Sequence, residues 1–172
     1  MEPITIRMEQ SADRAAVYTV EQRAFGRTAE ADLVELLNAH GKVTLSLVAL
    51  VGEQVVGHVL FSPAHIESPI GRVAVQGMGP VAVLPECQGQ GVGSALVRAG
   101  LAQLRQNGCS AVIVEGNPRY YLRFGFQDAA PLGLVCEFNP PPGCFMVQAL
   151  QPGALDGVSG LCRYAEEFQA VG

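Results

Sequence analysis

One lysine, Lys42, stands among 172 residues, and no basic stripe runs through the chain. Eleven Lys and Arg face sixteen Asp and Glu, for a formal net charge of −5. Binding to phosphate backbones needs clustered cations, so the composition argues against a nucleic-acid partner. The five cysteines, Cys87, Cys109, Cys136, Cys144 and Cys162, are odd in number, and no two are spaced C-x-x-C. A disulfide framework and a zinc site are therefore disfavoured, and free thiols in a reducing compartment are expected. No apolar run reaches the roughly 20 residues that cross a bilayer. The opening "MEPITIRMEQ" lacks the basic flank and apolar core of a signal peptide, so a cytoplasmic protein with no membrane partner is expected. Repeats and low-complexity tracts are absent from the sequence.

What is present is core material. The chain is 49% hydrophobic and 16% charged, which suits a single domain over residues 1–172. "PITIRM" reads as a strand. Ala16, Val17, Val20 and Ala24 recur at helical spacing behind Ser11, a candidate N-cap. "TAEADLVELLNAHG" predicts a second helix, capped by Thr28, with Glu30 and Asp32 in its first turn and Gly41 as its stop. "KVTLSLVALV" and "QVVGHVLFSPAHIE" predict two strands around a tight turn. "RVAVQGMGPVAVL" predicts a long strand, bulged or broken at Gly77, Gly79 and Pro80. Val92, Ala95, Leu96, Ala99 and Ala102 form one helical face that Asn107-Gly108 closes. "SAVIVEG" predicts a buried strand, "PRYYLRFGF" a brief helix and "GCFMVQAL" a late strand, with an irregular tail over 151–172. The expected fold is a mixed α/β (α+β) sheet: antiparallel strands first, then a right-handed crossover between parallel strands, with helices on both faces.

The stretch "VAVLPECQGQGVGSALV" raises the functional question. An apolar strand reaches Gly89, Gly91 and Gly93 just before an amphipathic helix. Helix N-termini expose unpaired N–H groups and positive dipole charge, and glycine removes the Cβ that would obstruct an anion. Together these features predict a phosphate cradle. A P-loop would need a lysine after the glycines, and none is there. A dinucleotide fingerprint would need a glycine where Ser94 stands, and it normally opens on the first strand. A nicotinamide-dependent oxidoreductase therefore remains only an alternative.

"QGQGVG", residues 88–93, resembles the Q/R-x-x-G-x-G/A signature of the GNAT acetyltransferase superfamily. The strand ending "VAVLPE" and the spacing of Tyr121, Gly125 and Phe126 resemble the same family. "VVGHVLFSP", "YYLRFGF" and "PGALDGVSGLCRY" resemble a bacterial branch of predicted N-acetyltransferases, which extends the likeness over nearly the whole chain. The resemblance implies that Gln88, Gly89, Gln90, Gly91, Val92, Gly93 and Ser94 hold the pyrophosphate of acetyl-CoA through backbone amides. It implies that the pantetheine arm lies along the backbone of Val81 and Val83, where the side chains are ordinary core. An N–H of that strand would polarise the thioester carbonyl. Tyr121 would protonate the leaving thiolate, with Tyr120 as packing. Asn117 would either bond the pantetheine or merely cap its helix.

The general base stays open at this level. Glu30, Glu115, His58 and Cys87 are candidates, as is water, and Gln76 and Met78 stand where a carboxylate might be sought on the preceding strand. The implied activity is direct acetyl transfer to a primary amine on a small molecule or a protein N-terminus, without a metal. A non-catalytic acyl-CoA sensor on the same scaffold is the other alternative. Oligomeric state is not set by these patterns.

Overall fold

A computed structural model describes residues 2–171. The strands are β1 Ile4–Met8, β2 Leu45–Val51, β3 Gln54–Ser68, β4 Gly71–Val83, β5 Ala111–Glu115, β6 Gln127–Asp128, β7 Leu134–Cys136, β8 Phe145–Ala149 and β9 Gly160–Arg163. The helices are α1 Arg14–Phe25, α2 Ala29–Ala39, α3 Val92–Gln106 and the single turn α4 Pro118–Tyr121. One mixed sheet runs β1-β2-β3-β4-β5-β8-β6, and β9 joins β3 to β7. Its β1–β2 and β2–β3 ladders are antiparallel, while β4 and β5 are parallel over Gln76↔Val112 and Gly77↔Ile113. This is the mixed architecture expected from the sequence. Among the described residues no helix is long and apolar enough to cross a membrane.

The chain forms two compact units. The first comprises Met1–Phe61, Gly79–Ala102 and Glu167–Gly172. Here α3 sits on β3 because Gly57 has no side chain: a Cβ there would lie 2.8 Å from Val92 Cγ1 and 2.9 Å from Leu96 Cδ1. The next residue, His58, points to the opposite face, where Glu21 of α1 meets it. Helices therefore cover both faces of this part of the sheet. Val17, Val20, Leu33, Val34 and Leu37 fill the α1–α2 side, and Val92, Leu96 and Val97 fill the α3 side. Lys42 and His40 tie the C-terminal turn through the buried carboxylate of Glu167, at 3.3 and 2.7 Å.

The second unit comprises Ser62–Met78 and Gln103–Glu166. The β5–β8 ladder runs from Ala111↔Ala149 to Glu115↔Phe145, and Ala111, Val112, Ile113 and Val114 are all buried. Against β3, β9 pairs over His65↔Arg163 to Glu67↔Leu161. Tyr164 lies across Gly77, where a Cβ would come within 2.6 Å of its ring.

Three local expectations are corrected. Ser11 does not cap α1. Residues Ser11–Asp13 form a 3-10 turn instead, and Asp13 Oδ2 accepts from the Gln10 N–H at 2.7 Å while Arg7 pairs with the same carboxylate. Arg7 holds the Asp13 carboxyl below its usual range. Thr28 occupies the N-cap of α2 but makes no side-chain capping bond. The tail is not merely irregular, since β9 lies within it and two sequence-distant strands draw it in.

Gly100→Ala tests the seat of α3. Helix propensity favours alanine by about 1 kcal/mol. A Cβ at Gly100, however, would come 2.6 Å from Cζ of the fully buried Phe61. Overpacking of this kind costs about 1–3 kcal/mol. A net loss of stability in urea unfolding is expected, and a net gain would show that the seat has slack.

Candidate functional site

The glycine turn lies wholly in the first unit. β4 ends at Val83, and the Leu84 N–H bonds the Val56 carbonyl at 2.9 Å. Pro85–Cys87 makes a 3-10 turn, exposed residues 88–91 follow, and α3 begins at Val92. Gly89 and Gly91 have φ of 76° and 87°. These are left-handed values that glycine adopts without penalty. A Cβ at either position would meet nothing within 4 Å. The glycines are therefore needed for the shape of the turn, and the space beside them is open. The first intrahelical bond at this end is Ala95 N–H to the Gly91 carbonyl, 3.0 Å. In general the first amides of a helix have no partner within the helix itself.

Two side chains brace this turn. Gln88 Nε2 donates to the Val83 carbonyl at 3.1 Å, and Gln90 Nε2 donates to the Glu86 carbonyl at 3.4 Å. Arg23 forks onto Glu86 with two bonds of 2.8 Å, which lowers the carboxyl and raises the guanidinium. Both partners are solvent-exposed, so this pair contributes little to stability. Along β4, Ala82 and Leu84 are buried while Val81 and Val83 are half-buried. The expectation that the Val81 and Val83 side chains are ordinary core is corrected: they lie on the less covered side of the strand.

Asn117 and Tyr121 belong to the second unit. Asn117 caps α4, its Oδ1 accepting from the Arg119 N–H at 2.9 Å. The Tyr121 ring lies over Gly116, where a Cβ would overlap it, and meets the rings of Tyr120 and Phe126 edge-on at 5.0 and 6.0 Å. Burial pushes the Tyr121 hydroxyl up to about 12. Arg123 stacks over the Tyr120 ring at 4.7 Å, so Tyr120 packs as expected.

The base candidates separate by their partners. His58 is fully buried, with Nδ1 2.7 Å from Glu21 Oε2 and Nε2 2.8 Å from Ser46 Oγ. Ser46 donates its one proton to Glu9 Oε1 at 2.6 Å, so Nε2 is the donor toward Ser46. Burial raises the Glu21 carboxyl against the opposing hydrogen bond from His58. Glu30 forms an ion pair with Arg27. Cys87 is a half-buried free thiol. Glu115 ends β5 and accepts from Cys136 Sγ at 3.1 Å. Sequence reasoning missed Glu21, although an acid on the same helical face as Val17 and Val20 signals a buried charge that needs a partner. It also missed Cys136, whose thiol reaches Glu115 from the three-residue strand β7, distant in the chain.

A GNAT acetyltransferase domain model matches residues 5–129. The chain is 40% identical over 164 residues to the uncharacterized N-acetyltransferase YhbS of Escherichia coli K12, covering 95% of this chain and 97% of that protein. The chain belongs to the GNAT acetyltransferase family. A second relative, the uncharacterized N-acetyltransferase YjhQ of the same strain, is 37% identical over 161 residues and 89% of each chain. The crystal structure of E. coli YhbS in complex with CoA superposes with a TM-score of 0.92 at 38% identity, covering 100% of this chain and 97% of that one. A GNAT acetyltransferase from Brucella melitensis in complex with acetyl-CoA gives 0.80 at 35% identity, covering 98% and 99%. This GNAT protein is thus an acetyltransferase, which rules against the hydride-transfer alternative.

His58→Ala tests whether His58 is a support within this GNAT fold. The substitution leaves the fully buried Glu21 facing an empty site. Breaking a buried pair from one side costs about 3–5 kcal/mol. A loss of that size in denaturant unfolding is expected, and a change within about 0.5 kcal/mol would assign His58 a role other than support.

Proposed function

We propose that residues 1–172 work as one acetyl-CoA-dependent N-acetyltransferase domain that transfers acetyl directly to a primary amine. The observation that carries this reading is the exposed left-handed turn at Gly89 and Gly91, opening α3 within a family whose relatives are solved with CoA and acetyl-CoA. Amides from Gln88 to Ser94 hold the pyrophosphate at the positive end of α3. The backbone of Val81 and Val83 receives the pantetheine arm, and this requires Gln88 to release the Val83 carbonyl. An amide of the same strand polarises the thioester carbonyl. Acetyl-CoA supplies the activated acyl group and a thiolate leaving group.

Tyr121 gives its proton to the departing sulfur. Its raised hydroxyl keeps that proton at every ordinary assay pH, so the proton is present to be donated and the group is not a base. Asn117 already spends its Oδ1 on the helix cap, which leaves its amide NH₂ for the pantetheine. No metal takes part in this scheme. Five free cysteines suit a reducing, cytoplasmic setting.

Thermal unfolding with acetyl-CoA, with CoA and with NADH at equal concentrations tests the reading. A ligand at about 100 times its Kd adds roughly 2.7 kcal/mol to the folded state. Stabilisation by acetyl-CoA and CoA but not NADH is expected, and Gly91→Asp should abolish it by placing a carboxylate in the cradle. A response to NADH alone would overturn the assignment. Tyr121→Phe should lower turnover on an amine panel about 10²-fold or more while leaving acetyl-CoA binding intact. In the wild type, activity should show no alkaline loss from Tyr121 below about pH 10, because the hydroxyl titrates near 12. Tyr121→Phe turnover equal to wild type would remove Tyr121 as the acid.

A further inference from the structure

We propose that Glu115 is the general base of this enzyme and that Cys136 is the positioning residue that holds it. The proposal rests on the acetyltransferase reading above and adds the group that reading lacked. An alkylamine arrives protonated at neutral pH and cannot attack a carbonyl until it loses a proton.

The other candidate histidine and carboxylate are already engaged, and so are two further glutamates. His58 is sealed between Glu21 and Ser46. Glu30 faces Arg27, and Glu67 faces Arg163 at 3.1 Å. Glu137 accepts from the Tyr164 N–H at 2.7 Å. Glu115 is different. Its Oε1 accepts one bond, from Cys136 Sγ at 3.1 Å. Among the described residues Oε2 has no hydrogen-bond partner, and neither oxygen is paired with a cation. The residue is half-buried, so Oε2 is not sealed off as the Glu21 carboxylate is.

The position of Glu115 is fixed. It closes the five-residue β5–β8 ladder opposite Phe145, and the next amide, Gly116 N–H, bonds the Cys144 carbonyl at 2.9 Å. The Tyr121 ring lies against that same Gly116. Cys136 on β7 bonds the Glu115 carboxylate, and Tyr164, which follows β9, feels its charge. Tyr164 senses the charges of both Glu115 and Tyr121. The acid assigned to the leaving thiolate and the carboxylate assigned to the amine both belong to the second unit, and the Tyr121 ring lies on the residue that follows Glu115. Burial pushes the Cys136 thiol up to about 12, so it remains a donor and never competes as an anion. A thiol is also a weak donor, so it orients the carboxylate without consuming its capacity to accept a proton.

The step balances. Glu115 Oε2 takes one proton from the ammonium. The amine nitrogen bonds the carbonyl carbon, the C–S bond breaks, and Tyr121 gives its proton to sulfur. The attacking nitrogen loses its second proton to water as the amide forms, the proton on Glu115 also passes to water, Tyr121 is reprotonated from water, and each turnover releases one proton net.

The test compares Glu115→Gln with wild type on two amines of the same shape: ethylamine, which is protonated at pH 7, and 2,2,2-trifluoroethylamine, which is neutral there. Glutamine keeps an acceptor for Cys136 but cannot take a proton. General-base catalysis contributes about 10²–10⁴-fold. kcat/KM should fall by at least about 10² on ethylamine and by far less on trifluoroethylamine, with the acetyl-CoA-induced thermal shift unchanged. Equal losses on both amines, or no loss on either, would overturn the role of Glu115 while leaving the acetyltransferase reading standing. A wild type that neither binds acetyl-CoA nor releases CoA would overturn that reading itself. Cys136→Ser supplies a stronger donor in the same place, so the acid limb of the kcat/KM profile on ethylamine should move to lower pH. An unmoved limb would remove Cys136 from the proposal.

Discussion

The close seat of α3 on β3 is the constraint from which the cofactor side of this protein follows. Gly57 lets Val92 and Leu96 press onto the strand, and Gly100 lets the same helix pass the ring of Phe61. That contact places the first turn of α3 directly after β4, close enough that only a short loop joins them. A short loop must turn sharply, so Gly89 and Gly91 adopt left-handed φ. The turn itself, residues 88–91, is thereby presented to solvent. A side chain at position 57 would lift the helix and move the glycine turn with it.

Ionisable groups in the protein follow a single rule: burial is tolerated where a partner is supplied. Glu21, His58, Ser46 and Glu9 make an unbroken chain of hydrogen bonds of 2.6 to 2.8 Å, and Glu167 collects His40 and Lys42. Such paired groups specify how helices and strands meet, and they lose freedom to do chemistry. Glu115 and Tyr121 stand outside that pattern. Among the described residues the Glu115 carboxylate has one side-chain hydrogen bond, from a thiol, and Tyr121 is held by ring contacts rather than by a hydrogen bond. In the proposed mechanism these are the two groups that exchange protons with substrate, a role that needs unspent capacity.

Much of the fold was legible because it is local. The alternation in β2 and β3, the 3.6-residue face of α3 and the glycine cluster before it are all written in neighbouring residues. Asn117 shows the limit of such reading, since capping and cofactor binding use the same side chain and the sequence shows no hydrogen bonds. Ser11 shows another: it looks like a cap, but the bidentate pair of Arg7 and Asp13 draws the chain into a 3-10 turn and delays the helix to Arg14. β9 escaped because it is four residues long and owes its existence to β3 and β7 rather than to its own pattern.

By itself the sequence determined the strand–glycine–helix turn and the likeness to the acetyltransferases, because each depends on residue types at fixed short spacing. The tertiary structure alone decided which ionisable groups are spent. His58, Glu30 and Glu115 read alike in one dimension. Only folding brings Glu21 to the first, Arg27 to the second and a thiol from a distant strand to the third, and the state of a charge is set by what surrounds it rather than by what precedes it in the chain.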